Sequence, residues 1–121
     1  MTLRRQRAEA RGRRAEWWAA LWLRLKGYRI VAQRVRTPMG EVDIIARRGA
    51  TLIFVEVKYR PDHAQAAAAL SPQALARVQR AANFLLGRYA HGCASIRIDA
   101  IMLCPGRLPC HVEQWCEGEW R

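Results

Sequence analysis

The residues with the clearest chemical potential are two carboxylates and a lysine, Asp43, Glu56 and Lys58, set within apolar stretches. Twelve residues separate the two acids, and one residue, Val57, separates Glu56 from the lysine. Carboxylate oxygens are hard ligands that suit Mg²⁺ or Mn²⁺, and the main-chain carbonyl of Val57 can add a third oxygen. A lysine beside such an ion can orient or activate a water molecule. The pattern predicts a metal-assisted site that hydrolyses phosphodiester bonds.

The strand that carries Glu56 and Lys58 is the strongest strand signal in the chain, at residues 51–60. Alternation puts Leu52 and Phe54 on the same face as Glu56 and Lys58, and apolar residues on the other face. A strand buried on both sides imposes a desolvation cost on its charges, so their presence asks for a reason beyond folding. The alternative is an ordinary ion pair between Glu56 and Lys58 on a half-exposed strand.

Asp43 lies on the preceding predicted strand, residues 41–47, which joins the next strand through a tight turn at Arg48-Gly49. The period of two puts Glu41, Asp43 and Ile45 on one face. A hairpin with this turn brings Asp43 within about one residue of the level of Glu56. Glu41 is expected at the rim, beside the turn.

The net charge of +11 is concentrated in the first half of the chain, where residues 1–60 hold 15 Lys and Arg against 5 Asp and Glu. A basic surface beside an acidic pocket suits a polyanion that approaches a metal, which points to nucleic acid. The alternative is a basic protein whose arginines only face solvent. The residues predicted to contact phosphates are Arg13, Arg14, Arg34, Arg36 and Arg60.

The remaining elements follow from periodicity and breakers in a single domain, residues 1–121. A basic lead-in, 1–12, precedes a helix at 13–26, and the chain closes with a tail at 116–121. The other predicted elements are a strand at 28–36, a loop or weak helix at 61–70, a helix from Ser71 to Tyr89, and strands at 95–103 and 111–115. The order α-β-β-β-α-β-β is typical of an α/β protein with a mixed sheet.

Other candidates receive structural interpretations. Trp17, Trp18 and Trp22 recur at helical spacing and are assigned to the core in preference to a base-stacking platform. Asp99 is expected to pair with Arg97. The four cysteines form no CxxC pair, so disulfides are not expected, and a zinc site with His111 is a weak alternative. Without a stretch of about 18 apolar residues, the expected compartment is the cytoplasm and no membrane contact is expected.

Five motifs resemble the YraN family of bacterial proteins over about residues 12–103: GRRAEWWA from Gly12, KGYRI from Lys26, GEVDII, IFVEVKYR, and Arg97-Ile98-Asp99. That family is similar to archaeal Holliday-junction resolvases in the restriction-endonuclease-like superfamily. The resemblance implies a mixed central sheet flanked by helices and a metal-dependent nuclease site acting on DNA. Similar resolvases work as dimers on two-fold substrates, which makes a homodimer one of the open alternatives. It assigns Glu16 as the acid of the first helix, alongside Asp43, Glu56 and Lys58.

The sequence departs from the family pattern in two places. Ala74 stands where the second helix usually carries a lysine or glutamine, which leaves Gln73 or Gln79 as possible auxiliary residues. Arg34 stands where an asparagine often precedes the hairpin.

The leading hypothesis is a Mg²⁺- or Mn²⁺-dependent endonuclease for structured or branched DNA. The second is a nucleic-acid-binding module that cleaves slowly or not at all, in a repair or uptake complex. The third is an interaction protein whose basic face binds acidic proteins.

Overall fold

A computed structural model describes residues 3–116, with side chains described from Gly12 onward. Eight elements follow one another: α1 Leu3–Leu25, β1 Arg29–Thr37, β2 Gly40–Arg48, β3 Thr51–Tyr59, α2 His63–Ala69, α3 Pro72–Tyr89, β4 Ser95–Leu103 and β5 Cys110–Val112. The predicted order is confirmed, with α2 formed in the region expected to be a loop or weak helix. Helix α1 begins at Leu3, about ten residues before its predicted start, and the tail residues 117–121 lie outside the described part.

The five strands form one mixed sheet in the order β1-β2-β3-β4-β5. Strands β1, β2 and β3 pair antiparallel, β3 and β4 pair parallel through the α2–α3 crossover, and β5 closes the edge antiparallel to β4. Arg48 pairs with Thr51, so the β2–β3 turn is Gly49-Ala50, one residue later than predicted. Strand β3 is therefore central, as its two apolar faces indicated.

The two faces of β3 pack against different helices. Ile53 and Val55 join a buried cluster with α1, whereas Leu52 and Phe54 join a second cluster with α3. These are the two faces that alternation predicted. Helix α3 begins where the sequence indicated, because the Ser71 hydroxyl accepts a hydrogen bond from the Ala74 amide (3.1 Å) and Pro72 occupies the first turn.

The buried face of α1 is formed by small residues, not by its aromatic residues. Ala15, Ala19, Ala20 and Leu23 are buried against the sheet, while Trp17 and Trp18 are 56% and 55% exposed. The assignment of these two tryptophans to the core was wrong. The alanines recur at the spacing of one helical face and let the backbone of α1 approach the sheet closely, which turns both indole rings toward solvent.

Strand β1 does not keep the simple alternation expected for it. Its register against β2 shifts between Ile30 and Ala32 because Val31 forms a bulge. Ile30 consequently packs against the α1-side cluster and Ala32 against the α3-side cluster. In a regular strand these two side chains would share a face, but the bulge reverses the faces of the residues that follow it.

Within the described residues, no helix is long and apolar enough to cross a membrane. Among the described residues, Cys93, Cys104 and Cys110 are free thiols.

Candidate active site

Asp43 lies where the β2–β3 pairing ends. Ile44 pairs with Val55, which places Asp43 and Glu56 at the next level of the hairpin, within the one residue that was predicted. The Val57 amide donates a hydrogen bond to Asp43 Oδ2 (2.7 Å). The aspartate side chain thus satisfies a backbone donor of β3 at the point where the strands separate.

The faces of β2 change at this same point. Val42 and Ile45 both belong to the α3-side cluster, although residues three apart in a regular strand lie on opposite faces. Ala32 and Val35 of β1 also pack against this cluster at the same spacing. Arg34 lies inside this break with a left-handed φ of 52°. Asp43 therefore does not share the face of Ile45, contrary to the prediction from alternation. The change of face lies opposite Arg34, between the pairs Gln33–Ile44 and Val35–Val42.

Glu16, Glu41 and Asp43 form a three-carboxylate group, which we call the acidic cluster. One oxygen of each lies within 4.8 Å of the others, and all three residues are half-buried. Helix α1 supplies Glu16, and β2 supplies the other two. The interpretation of Glu41 as a rim charge did not predict its contact with Glu16 and Asp43. The contact depends on the change of face opposite Arg34, which hydrophobic periodicity does not reveal.

Glu56 and Lys58 form a close ion pair on β3. Lys58 Nζ lies 3.3 Å from Glu56 Oε1, and the two side chains are only 16% and 9% exposed. Glu56 is not a member of the acidic cluster, but its charge acts on Asp43. The half-exposed pair offered as the alternative is thus a largely buried one.

Burial raises the pKa of Asp43 to about 7. That value already includes a rise caused by the negative charge of Glu56, smaller rises caused by Glu16 and Glu41, and a lowering by the hydrogen bond from Val57. A carboxyl group in this setting is held near the point at which a proton and a cation compete for it.

Arginines accompany the acids in one cleft of about 370 Å³, lined by Gly12, Arg13, Glu16, Arg34, Arg36 and Glu41. Arg34 Nε donates to Glu16 Oε2 (2.5 Å), and Arg36 Nε lies 3.6 Å from Glu41 Oε2. The structure therefore brings three of the five predicted phosphate-contact residues to this cleft, which we call the acid–arginine cleft.

The other two lie elsewhere. Arg14 lines a separate groove between α1 and the segment 103–109. Arg60 follows β3, where its guanidinium donates to the carbonyl of Tyr59 (2.7 Å).

The proposed auxiliary residues occupy different surroundings on α3. Gln73 is exposed in the first turn, next to the buried Ala74. The Gln79 amide donates to Cys116 Sγ (2.8 Å), which gives Gln79 a role in holding the C-terminal segment.

A second buried polar group surrounds Asp99. Arg97 donates to both of its carboxylate oxygens, His111 Nε2 donates to Oδ2, and the Gln114 amide donates to Oδ1. Lys26 Nζ donates to His111 Nδ1 (2.6 Å), which fixes the proton of this ring on Nε2. The expected pairing of Asp99 with Arg97 is confirmed, and the roles of His111 and Lys26 were missed because their partners are distant in sequence.

In the described part of the chain, the residues identified as able to hold a metal together are those of the acidic cluster, not the cysteines and His111. These features define the class: an α/β protein with a restriction-endonuclease-like fold, with acids where two central strands separate. The family described as "Uncharacterised protein family UPF0102" matches residues 15–103. The chain belongs to this family, which is the YraN family that its motifs resemble.

Relatives resemble the chain over most of its length. A UPF0102 protein of Sphingopyxis alaskensis is 55% identical over 108 residues, 89% of this chain and 93% of the relative. One from Rhizorhabdus wittichii is 51% identical over 116 residues, 96% and 98% of the two chains. One from Erythrobacter litoralis is 47% identical over 110 residues, 91% and 95% of the two chains. These names state a family and no activity, so function is argued from the site.

Proposed function

We propose that the protein is a metal-dependent endonuclease that hydrolyses phosphodiester bonds in structured or branched DNA in the cytoplasm. The observation that carries the proposal is the acid–arginine cleft, in which Glu16 and Glu41 stand beside three arginines with Asp43 within 4.8 Å of both acids. Carboxylates suit a divalent cation and arginines suit phosphate, so the two halves of a phosphodiesterase site adjoin each other.

The donor set fits Mg²⁺ or Mn²⁺. Asp43 would be the principal ligand, with Glu16 and Glu41 of the acidic cluster beside it, and Glu56, which pairs with Lys58 outside that cluster, would complete the set on the β3 side. In an extended strand the N–H and C=O of one residue point to the same side, so the Val57 carbonyl faces the side on which its amide meets Asp43. A bound divalent ion supplies a nucleophilic water and neutralises charge on the scissile phosphate.

Lys58 would orient a water molecule or a phosphate oxygen beside Glu56. Its contact with Glu56 fixes the ammonium group within a mostly buried setting. From there it can donate a hydrogen bond to a water molecule or a phosphate oxygen, which orients the attacking group. Arg13, Arg34 and Arg36 would hold the flanking phosphates by charge-assisted hydrogen bonds.

A second candidate is a nucleic-acid-binding module with little or no cleavage. It is favoured by the contacts of Arg34 with Glu16 and of Arg36 with Glu41, since these cations already neutralise two members of the acidic cluster. In this alternative the fold binds DNA within a repair or uptake complex. The interaction protein that binds acidic partners remains the third candidate, supported by charge alone.

Cleavage of branched, single-stranded and duplex DNA with Mg²⁺ or Mn²⁺ tests the proposal. Wild type is compared with Asp43→Asn and Glu56→Gln, and Glu113→Gln provides a control in an exposed carboxylate. We expect cleavage by wild type and the control, and a loss of about 100-fold or more in the two site variants. DNA binding without cleavage of any substrate by any form would replace the enzyme with the binding module.

A further inference from the structure

A second concave surface lies on the opposite side of α1 from the acid–arginine cleft. Trp18 and Arg14 of α1, Tyr59 at the end of β3, and the segment 103–109 enclose a groove of about 540 Å³. Trp18, Tyr59 and Leu108 are all exposed. We call it the aromatic groove.

The chemistry of the aromatic groove is aromatic and cationic. Trp18 and Tyr59 supply two aromatic rings, Arg14 and Arg107 supply positive charge, and no acidic residue is among the described residues that line it. Aromatic side chains in a positively charged groove form the arrangement on which successive bases of a single strand stack while cations contact the backbone. The folded core does not need these rings, because alanines form the contact face of α1.

Two elements, α1 and β3, each contribute residues to both the groove and the candidate active site. On α1, Trp18 follows Glu16 by two residues, and at about 100° per residue the two side chains point to opposite sides of the helix. On β3, Tyr59 directly follows Lys58. A nucleic-acid strand in the groove therefore lies one helix width from the acidic cluster.

We propose that the aromatic groove binds unpaired nucleotides by stacking their bases on Trp18 and Tyr59, with Arg14 and Arg107 contacting the phosphates. This inference rests on the proposed function and deepens it: the substrate has a single-stranded portion beside the bond that is cut. Charge favours this occupant, since the two arginines of the groove attract phosphates and no acidic residue among its described lining residues opposes them.

Binding is measured in EDTA, so that the result does not depend on cleavage. Fluorescence anisotropy compares a labelled oligothymidylate of about 12 nucleotides with an abasic strand of the same length and charge. The proteins are wild type, Trp18→Ala, Trp18→Leu and Tyr59→Ala. Phe84→Ala on α3 is the matched control, because Phe84 is an equally exposed aromatic residue outside the groove. Thermal unfolding of each variant verifies that it is folded.

We expect wild type and Phe84→Ala to bind the thymidylate about tenfold or more tightly than the abasic strand. The Trp18 and Tyr59 variants lose most of that difference while their affinity for the abasic strand is unchanged. An equal preference for bases in wild type and in the Trp18 variants would overturn the proposal. A base-independent effect accompanied by a change in sedimentation mass would assign the groove to contact between copies of the chain. Equal binding of polyglutamate would assign it to an acidic protein.

The two proposals fail in different ways. If wild type cleaves no DNA but keeps base-dependent binding that needs Trp18, the groove stands and the nuclease activity falls. If Asp43 and Glu56 are needed for cleavage but bases make no difference to binding, the nuclease stands and the groove is not a stacking site.

Discussion

Asp43 Oδ2 accepts a hydrogen bond of 2.7 Å from the amide of Val57, and this contact joins the two halves of the candidate active site. It holds one carboxylate oxygen of Asp43 at β3, beside the segment that carries Glu56 and Lys58. The same carboxylate has an oxygen within 4.8 Å of oxygens of Glu16 and Glu41 in the acidic cluster. A single side chain thus links the acids of α1 and β2 to the ion pair of β3.

Asp43→Asn is expected to stabilise the metal-free protein above pH 7. Burial raises the folded-state pKa of Asp43 from 3.8 to about 7, so the protonated form favours folding. The stability that this proton contributes is fully present below about pH 3.8 and is lost as pH rises through about 7. Asparagine keeps an acceptor for Val57 without a charge. We expect a gain of about 2–4 kcal/mol at pH 8, measured by urea unfolding in EDTA.

The difference in free energy of unfolding between Asp43→Asn and wild type is expected to change with pH. The advantage of Asp43→Asn is expected to grow between pH 4 and 7 and to level off above that range, whereas Glu113→Gln parallels wild type. Parallel plots of stability against pH for wild type and Asp43→Asn would contradict a raised pKa at Asp43.

Divalent cations are expected to offset the loss of stability that the ionised Asp43 carboxylate causes in the folded protein. At pH 8, Mg²⁺ or Mn²⁺ should raise the thermal midpoint of wild type and not that of Asp43→Asn, because a ligand that binds only the folded state stabilises it. Below pH 7 the proton competes for Asp43, so the affinity measured by calorimetry should fall about tenfold per pH unit. A pH-independent affinity would remove Asp43 from the ligand set.

Glu41→Gln tests whether the acidic cluster includes the residue that the sequence interpretation set at the rim. Its carboxylate lies within 4.8 Å of those of Glu16 and Asp43. We expect metal affinity to fall about tenfold or more, compared with no change in Glu113→Gln. An unchanged affinity would return Glu41 to a role in pairing with Arg36.

Arg34→Asn is expected to be more stable than Arg34→Ala by about 0.5–1 kcal/mol. Both variants lose the contact with Glu16, but Asn tolerates the left-handed φ of 52° better than Ala does. The control pair is Arg36→Asn and Arg36→Ala, at a strand position without positive φ, where asparagine should have no such advantage. Chemical unfolding measures all four, and an alanine variant at 34 as stable as the asparagine variant would contradict the backbone argument.

Asp99→Asn is expected to destabilise the fold by about 3–5 kcal/mol. The buried carboxylate accepts from Arg97, His111 and Gln114, so neutralising it leaves cationic and neutral donors poorly matched. Asp62→Asn, at the exposed N-cap of α2, should cost about 1 kcal/mol or less. Equal losses in the two variants would show that the buried network contributes little.

The loss of stability at low pH provides a second test of the role of Asp99. Burial of Asp99 acts to raise its pKa, but the hydrogen bonds from His111 and Arg97 outweigh it and hold this pKa below 3.8. The contribution is therefore present above pH 3.8 and lost as pH falls through the lower folded-state pKa. Urea unfolding of wild type should be more acid-sensitive than that of Asp99→Asn.

The sequence predicted the level of Asp43 against Glu56 to within about one residue, because a short turn limits the registers open to a hairpin, although the turn lies one residue later than expected. It could not predict the reversal at Arg34, since hydrophobic periodicity carries no information about the φ of one arginine. The contact of Glu41 with Glu16 and Asp43 was not predicted for that reason. The exposure of Trp17 and Trp18 was missed because large apolar side chains are the usual core, and only the sheet decides that alanines fit closer.

The alanine face of α1 acts as a spacer for the acidic cluster. The separation of packed elements depends on the side chains between them, so methyl groups at Ala15 and Ala19 keep the helix low over the sheet. A glutamate side chain has a fixed reach, and this separation decides whether Glu16 meets Asp43. Substitutions at these buried alanines would retune the distance between the acids without touching either one.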